Sequence, residues 1–234
     1  MSTSHSPDTG SSAELFVASP TPNAAPSTDG AVVLRSVSWR QYESLLEVFD
    51  NQSLRHTYDS GRLELMSPTL THDWEKHLLA RLLDRMAEEL GVETKGIGST
   101  TLRLASQEIG VEPDECFYIA NEPAMRARGG RGDKLDLAND PPPDLAIEID
   151  VTSSSLPRLP VFAAIGVPEV WRLEESGLQF LRLVEGGYQA CGHSVAFPFL
   201  PVGVLQELVQ NKHGHSELQL VKQFTAWVRE HAGD

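Results

Sequence analysis

The stretch Pro141-Pro142-Pro143-Asp144-Leu145-Ala146-Ile147-Glu148-Ile149-Asp150-Val151 (PPPDLAIEIDV) decides how this chain is read. After the prolines it predicts a strand, whose side chains alternate faces with period two. Leu145, Ile147, Ile149 and Val151 then share one face, turned to a core, while Asp144, Ala146, Glu148 and Asp150 share the other. A half-exposed strand with a solvated acidic face accounts for this pattern. Two points weigh against it. Asp and Glu are poor strand formers, and carboxylates in a row repel one another unless a cation sits among them.

On the C-terminal side, "LPVFAAIG" predicts a short helix ended by Gly166, and "PEVWRLE" and "LQFLRLVE" a hairpin of alternating strands. A last amphipathic helix is expected from Ser216 to His231, with Leu218, Val221, Phe224 and Val228 on one side. On the N-terminal side, "SWRQYESLLEVF" sets Trp39, Tyr42, Leu45, Leu46 and Phe49 at helical spacing, with Ser38 as its cap. "HTYDSGRLELM" reads as strand, Asp-Ser-Gly turn and strand. A long helix with Leu78, Leu79, Leu82, Leu83 and Met86 in one stripe closes at Gly91. "TLRLAS" and "ECFYIA" are expected as strands around a turn at Gly110. The order α-β-β-α-β-β-β-α-β-β-α is that of a mixed α/β class.

The whole chain has 234 residues, 40% hydrophobic and 22% charged, which is the balance of one soluble globular domain. Residues 1–31 are dominated by Ser, Thr, Pro, Ala, Gly and Asp without apolar periodicity, so they are expected to be a disordered arm before a single domain over 32–234. The arm lacks the basic start and apolar core of a signal peptide, and no apolar run is long enough to span a membrane. Two cysteines, Cys116 and Cys191, are too few for a disulfide framework and fit a cytoplasmic protein. A net charge of −14 argues against nucleic-acid binding by bulk charge, but leaves room for a local basic patch beside an acidic, metal-binding centre.

Two further acids stand out. Asp114 follows Pro113 at the start of a strand in "VEPDECFYI", and Glu64 lies between Leu63 and Leu65 in "GRLELMSP". Alone, the first is an ordinary turn residue and the second a solvent-facing strand position. Other motifs fail: "GIGSTT" lacks the third glycine of a dinucleotide loop, and "GHSVA" around Ser194 is followed by a Pro-rich segment, not a helix. His213 and His215 read as surface residues and Cys116 as a core thiol.

"YDSGRLELMSP", "THDWEKH", "VEPDECFYI", "PPPDLAIEIDVTSSS" and "RLPVFAAIGVPEVWRLE" occur in that order. Together they resemble the Uma-type restriction endonuclease family of the PD-(D/E)XK nuclease superfamily, over about residues 39–201. The resemblance implies a restriction-endonuclease-like core, a mixed central sheet flanked by helices that presents acids at one edge. It implies Asp114 as the first metal-binding aspartate, Glu148 as the metal-binding acid of the (D/E)XK strand, and Glu64 as a further metal-binding and catalytic acid. His72 matches the histidine after the Met-Ser-Pro turn, with helix capping as its alternative role. The implied cofactor is Mg²⁺ or Mn²⁺, which takes oxygen ligands and keeps several waters; the backbone carbonyl of Ile149 is a further candidate ligand.

The superfamily's lysine is missing. Position 150, where E-x-K would place it, is Asp150, and the cation that many Uma-type members carry on the following helix is matched by Arg158. Arginine stays protonated, so it can orient a water or stabilise phosphate charge but cannot act as a base. Asp150 is then a third metal ligand, a base, or the mark of an enzyme that has lost activity. "RARGGRGDK" supplies Arg126, Arg128, Arg131 and Lys134 in a Gly-rich loop, read either as a DNA-phosphate clamp or as a solvated surface loop. The expected function is metal-dependent DNA endonuclease, working as a homodimer. The alternatives are a catalytically inactive binding descendant of the fold and a hydrolase of another phosphoester.

Overall fold

In the computed structural model the described residues are 23–26, 31–49, 54–129, 134–150 and 156–233. The chain enters through β1 (Asn23–Pro26) and β2 (Val32–Arg35), an antiparallel pair. Part of the arm expected to lack structure is therefore a paired strand; the rest of it lies outside the described residues. α1 (Trp39–Phe49) starts behind Ser38, whose Oγ accepts from the Gln41 amide at 3.3 Å while Gln41 Oε1 accepts from the Ser38 amide at 2.8 Å. β3 (Arg55–Asp59) and β4 (Arg62–Met66) close a hairpin whose two turn residues, Ser60 and Gly61, both take positive φ, at 45° and 92°.

α2 (Leu70–Leu90) begins where Thr69 Oγ1 accepts from the His72 amide and stops at Gly91, φ 61°. Short strands β5 (Lys95–Gly96), β6 (Leu102–Leu104), β7 (Ile109–Val111) and β8 (Glu115–Tyr118) follow. The expected turn at Gly110 is not there. Gly110 sits inside β7, and the chain reverses instead through residues 105–108, with Glu108 at φ 52°. Then come α3 (Glu122–Arg128), β9 (Leu145–Asp150) and α4 (Arg158–Ile165), which Gly166 ends at φ 87°. The chain finishes with β10 (Glu169–Glu174), β11 (Gly177–Val184), β12 (Gly187–Cys191), α5 (Val202–Gln210) and α6 (Glu217–His231).

The strands make two six-stranded sheets in a mixed α+β fold. The first, β1-β2-β4-β3-β7-β6, is antiparallel throughout. The second, β12-β11-β10-β9-β8-β5, is mixed, because β9 and β10 run parallel around the α4 crossover. Helices cover one face of the second sheet: Leu145, Ile147, Ile149, Trp171 and Phe180 pack on the leucine stripe of α2 and on α5 and α6. Its other face packs Cys116, Tyr118, Ala146 and Val170 against α3, α4 and the near edge of the first sheet. β9 is thus buried on both faces, and the solvated acidic face is excluded. No helix among the described residues is long and apolar enough to cross a membrane.

Candidate active site

The chain passes from the first sheet to the second through Glu112, Pro113 and Asp114, between β7 and β8. Asp114 is therefore set at the joint of the two sheets, one strand away from Glu148 on β9. Both are buried, at 3% and 4% exposure. Asp114 Oδ2 accepts from the Ile149 amide at 2.7 Å and lies 3.1 Å from His72 Nε2; Oδ1 is 3.4 Å from Arg55 Nε. Glu148 Oε1 accepts from the Asp114 amide at 3.3 Å. The first turn of α4 brings in Arg158, with Nε 2.5 Å from Glu148 Oε2 and Nη2 3.1 Å from Oε1. A further Arg158 hydrogen bond, Nη2 to the Glu112 carbonyl at 2.6 Å, ties the helix to the joint.

This environment shifts the charges. Burial pushes the Glu148 carboxyl up, the Asp114 charge adds to it, and Arg158 offsets only part, leaving it at about 7. Burial also opposes the charge on Asp114, but the hydrogen bond from His72, the Arg158 charge and the Ile149 amide together hold it below the usual carboxylate range. For His72, burial works against protonation and is outweighed by Asp114 and then Asp73, so its pKa is raised. His72 does not cap α2 with its side chain; that is done by Thr69, and the imidazole is free to reach Asp114.

The other sequence candidates are placed as follows. Glu64, on β4 and 1% exposed, accepts from the Leu156 amide at 3.4 Å, so it bears on the segment leading into Arg158. Asp150 pairs with Arg172 of β10. Asp144, at the other end of β9, accepts from the Ile119 and Asn121 amides and the Asn121 side chain, an anchoring role within the fold. Arg126 and Arg128 are in α3 rather than in a loop, anchored at the end of β8 opposite to Asp114. Acids meet both of them: Arg126 faces Glu122 at 3.4 Å, and Arg128 faces Asp140 at 3.0 Å and donates to the Lys134 carbonyl. Lys134 is exposed, and Arg131 lies outside the described residues.

Sequence reasoning missed a second ring of charge. Arg55 donates to Glu112 Oε1 at 2.8 Å, His56 Nδ1 lies 3.2 Å from Glu112 Oε2, and His56 Nε2 meets the Tyr42 hydroxyl at 2.9 Å. The available signal was an Arg-His pair inside a strand, together with the Glu two residues before Asp114.

Hard carboxylate oxygens suit Mg²⁺ or Mn²⁺; here burial is the first cause of the upward shift of Glu148, and Arg158 engages both of its oxygens. Among the described residues no group of three or more His, Cys, Asp or Glu side chains is arranged around one point. A cation placed here would have Asp114 and Glu148 as its carboxylate ligands and would need carbonyl and water ligands to complete its shell.

Residues 39–209, well over half of the chain, match the Uma2 family, described as "Putative restriction endonuclease". The chain belongs to the Uma2 family. Among curated proteins none matches it. Among solved structures it is similar to one described as a "putative nuclease belonging to DUF820" from Anabaena variabilis, at 14% identity and a TM-score of 0.41, over 74% of this chain and 90% of that one. Asp114, Glu148, Arg158, Glu64 and His72 all lie inside the span that matches Uma2.

Proposed function

We propose that this Uma2 chain is a metal-dependent DNA endonuclease that hydrolyses phosphodiester bonds. One observation carries the reading: a buried carboxylate pair, Asp114 and Glu148, at the joint of two sheets, with His72 on one acid and Arg158 on the other. Asp114 and Glu148 would hold Mg²⁺ or Mn²⁺, with the Ile149 carbonyl as a further donor. Such an ion supplies a nucleophile near neutral pH and offsets charge on the attacked phosphate. His72 fixes the rotamer of Asp114 through Nε2. Arg158, always protonated, orients the phosphate and is not a base. Glu64 assists from behind by holding the Leu156 amide. A duplex cutter must reach two strands, and a two-fold dimer in the cytoplasm is part of the same reading.

Incubation of the purified protein with Mn²⁺ and single- or double-stranded DNA tests this. Asp114→Asn and Glu148→Gln should each lower cleavage by at least about 100-fold and weaken Mn²⁺ binding in calorimetry. Intact DNA with the wild type, together with Mn²⁺ binding identical in wild type and variants, would end the proposal. A second reading, a binding descendant without catalysis, is favoured by Asp150 in the lysine position and by Arg158 engaging both Glu148 oxygens. It requires DNA binding without cleavage.

A further inference from the structure

Next to Glu148 opens a cavity of about 240 Å³, lined by Glu148, Asp150, Arg158 and Arg172 with Leu156, Pro157 and Leu159. Arg172 has been given no role by the sequence. On β10 it is the direct parallel-strand partner of Glu148, and Glu174 is the partner of Asp150, so all four point from the same side of the sheet. Arg172 Nη2 pairs with Asp150 Oδ2, and Nη1 lies 2.6 Å from Glu174 Oε1. Two arginines thus line the cavity beside Glu148, one from α4 and one from β10. They differ in access: the Arg158 side chain is 10% exposed and the Arg172 side chain 28%.

We infer that Arg172 is a substrate-binding residue of this site, the guanidinium that takes a non-bridging phosphate oxygen of DNA, and that Asp150 is its positioning residue. The inference rests on the nuclease reading above. Asp150 stands where the lysine of E-x-K would stand, and it recruits a cation from the neighbouring strand to the same end of the site. Two of the five N–H groups of Arg172 engage Asp150 and Glu174 among the described residues, so donors remain for a ligand. A planar fork held at its base by a carboxylate is pre-organised for phosphate, which a flexible lysine is not. The Arg172 and Asp150 side chains are 28% and 20% exposed, so each variant is checked for an unchanged circular dichroism spectrum, and Arg172→Lys keeps a cation between the carboxylates.

The test uses the full chain with a fluorescent duplex oligonucleotide, followed by anisotropy in Ca²⁺ and by cleavage in Mn²⁺. Arg172→Ala should weaken binding by roughly tenfold or more and reduce the salt slope of log K by about one. Arg172→Lys should restore the salt slope but only part of the turnover. Asp150→Asn should weaken binding by misplacing Arg172, whereas loss of a negative charge alone would tighten it. If the wild type binds and cleaves and Arg172→Ala matches it in both, the inference is wrong and the nuclease reading stands. If the wild type binds without cleaving and Arg172→Ala loses binding, the role of Arg172 stands and the nuclease reading falls. A wild type that neither binds nor cleaves overturns both.

Discussion

Glu148 and His72 hold protons that the unfolded chain releases more easily, Glu148 because of burial and His72 because Asp114 outweighs burial. A raised folded pKa means that the folded state binds more protons than the unfolded state between the two values, so stability falls as pH rises through that window. For Glu148 the window runs from the ordinary carboxylate range up to about 7. For His72 the extra stability is full below the ordinary imidazole range and is lost as pH rises through the raised value. Asp114 acts in the opposite sense, and only in acid. The melting temperature of the chelator-treated protein should therefore fall as pH rises from the ordinary carboxylate range to about 7, and Glu148→Gln should flatten the fall. A Tm that rises over this range would contradict the placement of these charges. Glu148 stands out in the sequence as an acid inside an apolar strand, whereas Asp114 and Arg158 stand out only through the family resemblance. Arg55, His56, Glu112 and Arg172 do not stand out, since ordinary strand positions become a site only when another strand is laid beside them.

At the scale of elements, α1 shows how a close approach is written into the chain. Tyr42 of α1 is fully buried, stacks on Tyr58 of β3 at 4.4 Å between centroids, and lies against β7 at Gly110. A Cβ at position 110 would run into the Tyr42 hydroxyl and come within 2.8 Å of Cζ. Gly110→Ala should thus destabilise the protein by about 1–3 kcal/mol in urea unfolding, the cost of overpacking, although φ there is ordinary. An unchanged midpoint would show that α1 can lift without cost. This contact also explains why a turn was expected at Gly110: glycine signals either a reversal or a close neighbour, and only the fold says which. The longer amphipathic helices were legible, α1 and α2 with their caps Ser38 and Gly91; in α6, expected to begin at Ser216, that residue is the N-cap, and Leu218 is exposed while Leu220 is buried. α5 was not legible, because it follows the Pro-rich "FPFLP" and is capped by no side chain. The short strands β2, β5 and β12 hold too few residues to show a period.

At the scale of the whole molecule, the charge of −14 can be placed. Asp114 and Glu148 belong to the site, Asp144 and Glu169 accept backbone and side-chain hydrogen bonds inside the fold, and Glu89 pairs with Arg85 and Arg229. In the basic segment expected beside the metal, Arg126 and Arg128 lie in α3, beyond the end of β8 that is opposite to Asp114. DNA binding should therefore depend on the metal and on Arg172 and Arg158 more than on a basic surface, and a second copy of the site would strengthen it. Sedimentation of the native protein should show a dimer; a species of only 25.7 kDa would remove that part of the proposal. The second sheet was legible around β9, but the first sheet as a unit was not, since its six strands are joined across long separations, with β3 pairing to β7.

The parallel pairing of β9 with β10 has a consequence in time. Asp114 meets the Ile149 amide 35 residues on, Arg158 meets the Glu112 carbonyl from 46 residues on, and the sheet around them closes only through the α4 crossover. Contacts of such separation form late in folding. On a ribosome, where domains fold as they emerge, the two acids would meet only once β9 had cleared the exit tunnel, and Arg158 would join them with α4. The nascent chain would pass more than half of its synthesis without a complete site.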